Sequence, residues 1–460
     1  MGDDVLSPQD IENADYALGA RFVRQVKATV ALQDRAQLEG LFEDLHAADI
    51  ADLLEQIDEE DRRSLLNLWG DGFDGEVLSE LEDSLREGVI EQMAPADLAE
   101  AVRDLDSDDV VDLVEDLDEP QQEAVLEALD DADRVAVEQA LSYPEDSAGR
   151  LMQREMVMAP AHWNVGQAID YLRAEDNLPE HFYHMILVDP RMRPVGYVQL
   201  GKLLGAKRPV PLMDITEDSF RTIPVEQGED DVAYAFNQYH LISAPVVDAD
   251  ERLVGVITID DAMIVLDEEH EEDILRLAGV GESSLSDKVI ETTKRRFPWL
   301  AVNLVTAILA SLVIAQFEDV ISQFVALAVL MPIVASMGGN AGTQSLTVAV
   351  RSIATKDLTA ANVWRVIRRE CLVGLVNGVI FAVVMGIVGI LWFGSPMLGL
   401  VIAIAMVINL VVAGLAGTAI PIVLEKLGVD PALASGAFVT TVTDVVGFFA
   451  FLGLAAMVLL

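Results

Sequence analysis

Residues 430–460 read DPALASGAFVTTVTDVVGFFAFLGLAAMVLL, and from Pro431 onward they are apolar or small apart from one charge, Asp444. An isolated carboxylate near the middle of a membrane helix costs roughly 2.5–3.5 kcal/mol on insertion scales, and such a group usually faces a partner or a water-filled path. The stretch therefore predicts a membrane span with a carboxylate set into a cation path. Ser435, Gly436, Thr440, Thr441 and Thr443 surround it. Gly436, Thr440 and Asp444 recur at i, i+4 and i+8, so they share one helix face. One charge and a few hydroxyls per chain cannot build a dehydrated six-oxygen cage. Mg2+ gives up its water reluctantly, so a hydrated ion held through outer-shell contacts suits this wall.

Four more apolar segments precede it, at about 298–317, 322–350, 371–393 and 397–424, and the last span covers about 432–460. Each is long enough for roughly 30 Å of hydrocarbon at 1.5 Å per residue. Lys294, Arg295 and Arg296 precede the first span, and Arg351, Lys356, Arg365, Arg368 and Arg369 lie between the second and third. The positive-inside rule places the N-terminus and the 351–370 loop in the cytoplasm. Five spans then leave the C-terminus outside and the 425–431 loop, with Asp430, inside. The N-terminal ten residues are polar and acidic, so no cleavable signal peptide is expected. The location expected is the cell (inner or plasma) membrane.

The second span carries Met331-Pro332 and then Gly338-Gly339-Asn340-Ala341-Gly342-Thr343-Gln344. This composition weakens a helix. Irregular backbone at membrane depth is tolerated where it lines water or protein, so freed carbonyls and the Asn340, Thr343 and Gln344 side chains are candidate oxygen ligands. The competing reading is a helix-packing seam of small residues. Asn303, Asn377 and Asn409 are lone amides in other spans, expected to hydrogen bond between helices.

The chain carries a formal net charge of −47. Residues 294–460 hold seven acidic residues against nine basic ones, so the negative charge belongs to residues 1–293. Such a surface repels nucleic acid and anionic lipid and attracts cations. It serves equally as a solvated acidic exterior or as a set of divalent-cation sensing sites. The single cysteine, Cys371, excludes a disulfide within the chain and a cysteine-rich metal site.

Residues 1–34 predict a helix over about 14–32, followed by an acidic helical-repeat domain over 35–150. Its register of Asp49, Asp61, Asp97, Asp109, Gln121 and Asp133 falls on multiples of twelve. Each unit runs from a polar cap into apolar residues at helical spacing, as in a solenoid or a simple bundle. Tyr143-Pro144-Glu145-Asp146-Ser147-Ala148-Gly149-Arg150-Leu151-Met152 breaks the pattern. Two similar α/β units follow over 151–265. Residues 186–198 parallel 244–257, each an apolar strand, a polar turn and a second strand after a helix. They look like tandem CBS domains, which are regulatory and often bind adenine nucleotides. The nucleotide signature of that family is matched by Thr258-Ile259-Asp260-Asp261 in the second unit and missing at Gln199-Leu200-Gly201-Lys202 in the first. Thr258 and Asp261 are thus candidate nucleotide contacts, and Asp261 is alternatively a helix cap. An acidic helix over about 260–278 leads on, with Asp267, Glu268, Glu269, Glu271, Glu272 and Asp273. Residues 260–294 as a whole connect to the transmembrane domain over 295–460.

This order of parts resembles the MgtE family of magnesium channels over about 35–460. The most specific marks are Pro332 with Gly338-Gly339-Asn340-Ala341-Gly342, and Leu427-Gly428-Val429-Asp430-Pro431-Ala432-Leu433 followed by Asp444. The resemblance implies a multidomain protein: an all-α helical-repeat N domain, α/β tandem CBS domains and a five-helix transmembrane domain. It implies a homodimer with the pore between subunits, where Asp444 binds hydrated Mg2+ with Thr440, Gly436, Thr441, Asn340, Gly338 and Gly339 nearby. It further implies that cytosolic Mg2+ bound at Asp260, Asp261, Glu268, Glu269, Glu272, Asp273 and Asp430 holds the pore shut through the connecting ("plug") helix. Some members bind ATP in the CBS pair. The chain departs from the family at Gly436, Ala437 and Thr343.

The function expected is Mg2+ uptake down its electrochemical gradient, not an enzyme activity. No Gly-x-x-x-x-Gly-Lys-[Ser/Thr] loop is present. Two alternatives are a carrier for Co2+, Mn2+ or Ni2+ and a membrane-anchored CBS sensor that does not conduct. The lack of His or Cys near Asp444 counts against soft-metal selectivity. A mere anchor has no reason to bury a charge, which counts against the sensor.

Overall fold

The computed structural model describes residues 18–460 apart from 44, 94, 116, 118, 176, 177, 180, 218, 219, 281–288 and 360. It divides into two compact units, Met1–Asp267 and Glu268–Leu460. The expected helix over 14–32 is described as Ala20–Ala31, with Phe22 and Val26 fully buried, while Tyr16 lies outside the described residues.

The first unit begins with a stack of short helices around one core that includes Phe22, Leu38, Leu53, Leu65, Leu78 and Leu113. The twelve-residue register marks a definite position. Asp49, Asp61, Asp97, Asp109, Gln121 and Asp133 are each the third residue of a helix, in Ala47–Gln56, Glu59–Trp69, Pro95–Ala101, Ser107–Glu115 (α1), Glu119–Ala128 and Asp131–Ala140. An acid in the first turn faces unpaired backbone N–H groups and the positive end of the helix dipole. Asp49 shows the closed form of this cap: its Oδ2 accepts from the His46 N–H at 3.2 Å, while His46 Nδ1 accepts from the Ala48 N–H at 3.3 Å.

Two three-stranded sheets follow. In the first, β1 (Val157–Pro160) runs parallel to β2 (His184–Val188), which pairs antiparallel with β3 (Pro194–Gln199). In the second, β4 (Ile223–Pro224), β5 (Ser243–Val247) and β6 (Leu253–Thr258) repeat that pattern. The turns repeat as well. Asp189 Oδ1 accepts from the N–H groups of Arg191 and Arg193 at 2.7 and 2.9 Å, and Asp248 Oδ1 from those of Asp250 and Arg252 at 2.9 and 2.8 Å. A carboxylate folded onto its own turn is a local backbone substitute, so the Val-Asp-x-x-x-Arg-x-Val-Gly pattern that the two units share reproduces the same turn twice. Buried His184 on β2 meets Ser243 on β5 at 2.6 Å and joins the two sheets.

The Pro-Glu-Asp-Ser-Ala-Gly-Arg stretch is the joint between the helices and the second sheet. Ala148 and Gly149 donate to the carbonyls of Gln227 and Val225. The Arg150 guanidinium returns to the helical stack, donating to the carbonyls of Tyr143 and Leu141 at 3.0 Å each and pairing with Glu115.

A single helix, α2 (Ile259–Leu277), leaves β6. The second unit then supplies five helices long and apolar enough to cross a membrane: α3 (Val289–Ala315), α4 (Ala326–Ala354), α5 (Val363–Phe393), α6 (Pro396–Lys426) and α7 (Pro431–Leu459). The chain is a multi-pass membrane protein. Two expectations need correction. The backbone of α4 is helical from end to end, so Gly338-Gly339 opens no break in it; Pro332, which lacks an N–H, takes the usual helical donor only from the Ala328 carbonyl, a turn before it. Among the described residues Asn409 alone of the three amides bridges helices, its Nδ2 donating to the Val334 carbonyl at 2.8 Å. Asn303 is exposed and Asn377 half-buried.

The small residues of α4 serve packing. A Cβ on Gly338 would lie 2.2 Å from Asn409 Nδ2, and one on Gly447 would lie 2.8 Å from the same atom. Gly339 has nothing within 4 Å. A Gly338→Ala chain should therefore lose folded yield and elute as aggregate on size exclusion, whereas Gly339→Ala should keep a wild-type profile. Similar profiles for the two would remove Asn409 as the reason for Gly338.

Candidate functional site

Asp444 lies two turns past Gly436 on α7, half-buried, and among the described residues it has no hydrogen-bond or ion-pair partner. Its neighbouring hydroxyls are turned back onto their own helix. Thr440 Oγ1 donates to the Gly436 carbonyl at 2.9 Å, Thr441 Oγ1 to the Ala437 carbonyl at 2.5 Å, and Thr443 Oγ1 to the Thr440 carbonyl at 3.0 Å. Their protons are thus spent, and what half-buried Thr440 and Thr441 turn outward is oxygen lone pairs, while Thr443 is fully buried. Gly436, Thr440 and Thr441 are half-buried.

On α4, Asn340, Thr343 and Gln344 are exposed, while Gly338 and Gly342 are buried. The glycine motif is therefore two-faced. Gly338 belongs to the seam with Asn409, and Gly342 lies against α7, where a Cβ would come within 2.6 Å of Val439. Gly339 and Asn340 look outward. The sequence grouped Gly338 with the ion path; the structure gives it a packing role. Glu370 is a residue that sequence reading missed. The sequence puts it at the end of the 351–370 loop, yet α5 already includes it, and its buried carboxylate accepts from Ser345 Oγ of α4 at 3.0 Å.

The acidic residues of α2 fall into two groups. In the first unit, Asp260 and Asp261 meet Asp106, Asp108, Asp109 and Glu155. Glu155 Oε2 accepts from the Ser107 hydroxyl at 2.9 Å and from the Arg154 N–H at 2.9 Å. Asp261 Oδ2 accepts from the Thr258 hydroxyl at 2.6 Å and from its N–H at 3.3 Å. The proposed nucleotide pair is thus engaged with itself, and Asp261 caps α2. Burial foremost, then the Asp261 charge, pushes Asp109 up to about 7. The same two causes raise Asp108 well above the carboxylate range. Asp261 is pushed up to about 6, by burial and then by Asp260. Asp106 is raised too, by burial and then by Glu155. Among the described residues no three of these groups converge into a ready ligand set. The cluster is crowded negative charge that no ion pair among the described residues answers, with only the His181 charge offsetting it at Asp106. Sequence reading missed Asp106, Asp108, Asp109 and Glu155, although Asp109 stood in the twelve-residue register.

In the second unit the other end of α2 meets α7. Arg276 Nη2 pairs with Glu272 at 2.5 Å, and its Nη1 with Asp430 at 3.3 Å. Asp430 is also the N-cap of α7, accepting from the Ala432 N–H at 2.7 Å. Leu277 packs onto the buried cluster of Leu346, Val350, Ala432 and Val439. Half-buried Asp273 has its carboxyl raised, by burial first and by the Asp430 charge second. Glu268 and Glu269 lie along α2 between the two groups, exposed and half-buried respectively.

A family model described as "Divalent cation transporter" matches residues 331–454, one described as "MgtE intracellular N domain" matches 45–146, and a CBS domain model matches 212–268. The magnesium transporter MgtE of Enterococcus faecalis is 35% identical over 434 residues, covering 93% of this chain and 95% of its own length. The chain belongs to the MgtE family of magnesium transporters. The Bacillus subtilis member is 30% identical over 90% of this chain and 92% of its own. The Thermus thermophilus member is 33% identical over 69% of this chain and 71% of its own.

The raised carboxylates have a measurable consequence. Between about pH 4 and pH 7 the folded first unit holds protons that an unfolded chain has released, so its stability falls as pH rises through that window. A divalent cation in place of those protons removes the slope. The full chain in detergent should thus lose several degrees of Tm between pH 5 and pH 8 without Mg2+ and much less with millimolar Mg2+. Asp109→Asn should raise the Mg2+-free Tm at pH 8 and shrink the Mg2+ response. A variant with wild-type pH and Mg2+ responses would sink the cluster's electrostatic account.

Proposed function

We propose that the chain carries Mg2+ across the cell membrane as a homodimeric channel and closes when cytosolic Mg2+ is high. Asp444 carries the transport part of this reading: a half-buried carboxylate inside a span, without a protein counter-ion among the described residues, beside hydroxyls that offer only lone pairs. A strongly hydrated dication satisfies such a wall through its water, since the water donates and the wall accepts. In a symmetric dimer two such faces would present two carboxylates to one ion. Asn340 on the outward face of α4 would add an amide oxygen.

The gating part is supported by the two carboxylate groups on α2. Cytosolic Mg2+ would enter the Asp106, Asp108, Asp109, Asp260 and Asp261 cluster, where like charges repel, and would hold α2 in place with Glu268 and Glu269. Glu272, Asp273 and Asp430 would form the second, membrane-side contact. In this reading residues 35–150, 151–265 and 260–294 are sensor, regulator and plug. The N-terminus is cytoplasmic and the C-terminus outside. ATP would contact the CBS pair at Thr258 and Asp261, and would have to separate that pair first.

Mg2+ flux into liposomes tests both parts. Asp444→Ala should reduce flux to background, and Asp444→Asn should do nearly as much, since the amide keeps the shape but loses the charge. Wild-type flux should fall as Mg2+ on the side of the soluble unit rises, and Asp109→Asn with Asp261→Asn should blunt that fall. Equal flux from wild type and Asp444→Ala would sink the pore role. Indifference of the wild type to Mg2+ on that side would sink the gating role.

A further inference from the structure

One face of α5 has no use in the transport reading. Arg365, Arg368 and Arg369 project from its first turns, and Leu372, Val373 and Val376 continue the same i, i+3, i+4 face. Together they line a shallow cavity of about 530 Å³. All three arginines are exposed, and among the described residues none has an ion-pair partner. The three apolar residues are exposed as well, at 53%, 45% and 58%. The nearest acid in sequence, Glu370, turns away into the bundle toward Ser345.

Depth decides what meets this face. Trp364 is 75% exposed and Trp392 is 62% exposed, one near each end of α5. They are separated along the helix by roughly 42 Å at 1.5 Å per residue. A bilayer with its headgroup regions is about 40–45 Å thick, and exposed tryptophan settles at both interfaces. The three guanidiniums, in the turn and a half beyond Trp364, thus lie at phosphate level. Leu372, Val373 and Val376 lie a turn or two deeper, against acyl chain. Arginine reaches back toward the interface along its apolar stem and grips phosphate oxygens bidentately.

We propose that this face is a binding site for an anionic phospholipid, its phosphate held by Arg365, Arg368 and Arg369 and one acyl chain laid along Leu372, Val373 and Val376. A neutral zwitterionic lipid carries its own cation beside the phosphate and gains less from three further positive charges. The site sits on the helix that buries Glu370 against α4, so an occupied site holds that start of α5 at a fixed depth.

Native mass spectrometry of the full chain in detergent, with phosphatidylglycerol or phosphatidylcholine added, tests this. The wild type should retain phosphatidylglycerol with about tenfold preference or more, at roughly fivefold for each basic residue engaged. Arg365→Gln, Arg368→Gln and Arg369→Gln should each weaken phosphatidylglycerol binding by about fivefold, and the triple variant should lose the preference. Lysine at the three positions should restore most of it. The single variants carry the comparison if the triple variant elutes as aggregate. Equal retention of the two lipids by the wild type, or a triple variant that keeps the preference, overturns the site. So does rapid disulfide dimerisation of Val376→Cys in a Cys371→Ser background in native membranes, because a second copy of the chain would then cover the face.

Discussion

The amide of Asn409 is the constraint on which the membrane unit is arranged. It is fully buried, and its Nδ2 donates to the Val334 carbonyl. A single interhelical hydrogen bond in a membrane contributes on average only about 0.6 kcal/mol. Its influence here is geometric. The amide fills the space that Gly338 on α4 and Gly447 on α7 leave open. Gly338 stands two residues before Asn340, and Gly447 three residues after Asp444. Fixing those two glycines against one side chain fixes the rotation of both helices, and hence which way Asn340 and Asp444 look. The outlook of these two polar side chains is set from behind, by packing.

Much of the architecture was readable from the sequence because it rests on local rules. Five apolar runs give five membrane helices, since length and hydropathy alone decide that outcome. The twelve-residue register gives helix starts, since an acid at the third position is a local electrostatic preference. The paired Asp189 and Asp248 turns are local too. What failed was where two elements must meet. Composition suggested broken backbone in α4, but a glycine that weakens an isolated helix is stable when a neighbour fills its groove. Glu370 was read as loop because a carboxylate is normally solvated, and only Ser345 across the interface explains its burial. The Asp106, Asp108, Asp109 and Glu155 partners of Asp261 come from residues roughly a hundred or more positions away in the chain. No spacing rule relates them.

The two carboxylate groups on α2 differ in how their charge is handled. Among the described residues no ion pair answers the carboxylates around Asp261, so burial and mutual repulsion drive several carboxyls toward their protonated form. Near the membrane unit, Arg276 lies between Glu272 and Asp430 and answers part of the charge. One group carries its charge without an ion pair among the described residues. The other already holds a cation that is covalently part of the chain.

That built-in guanidinium alters what a metal ion would have to do. A dication arriving at Asp430 would have to exchange with Arg276 instead of filling an empty place. The apparent affinity is then the difference between two attractions, and it falls below that of bare carboxylates. Such an exchange sets a threshold. Trace cation leaves the internal pair intact, and only a concentration high enough to outcompete a tethered partner releases it. Replacing a single side chain, Arg276, would tune that threshold without touching any of the carboxylates.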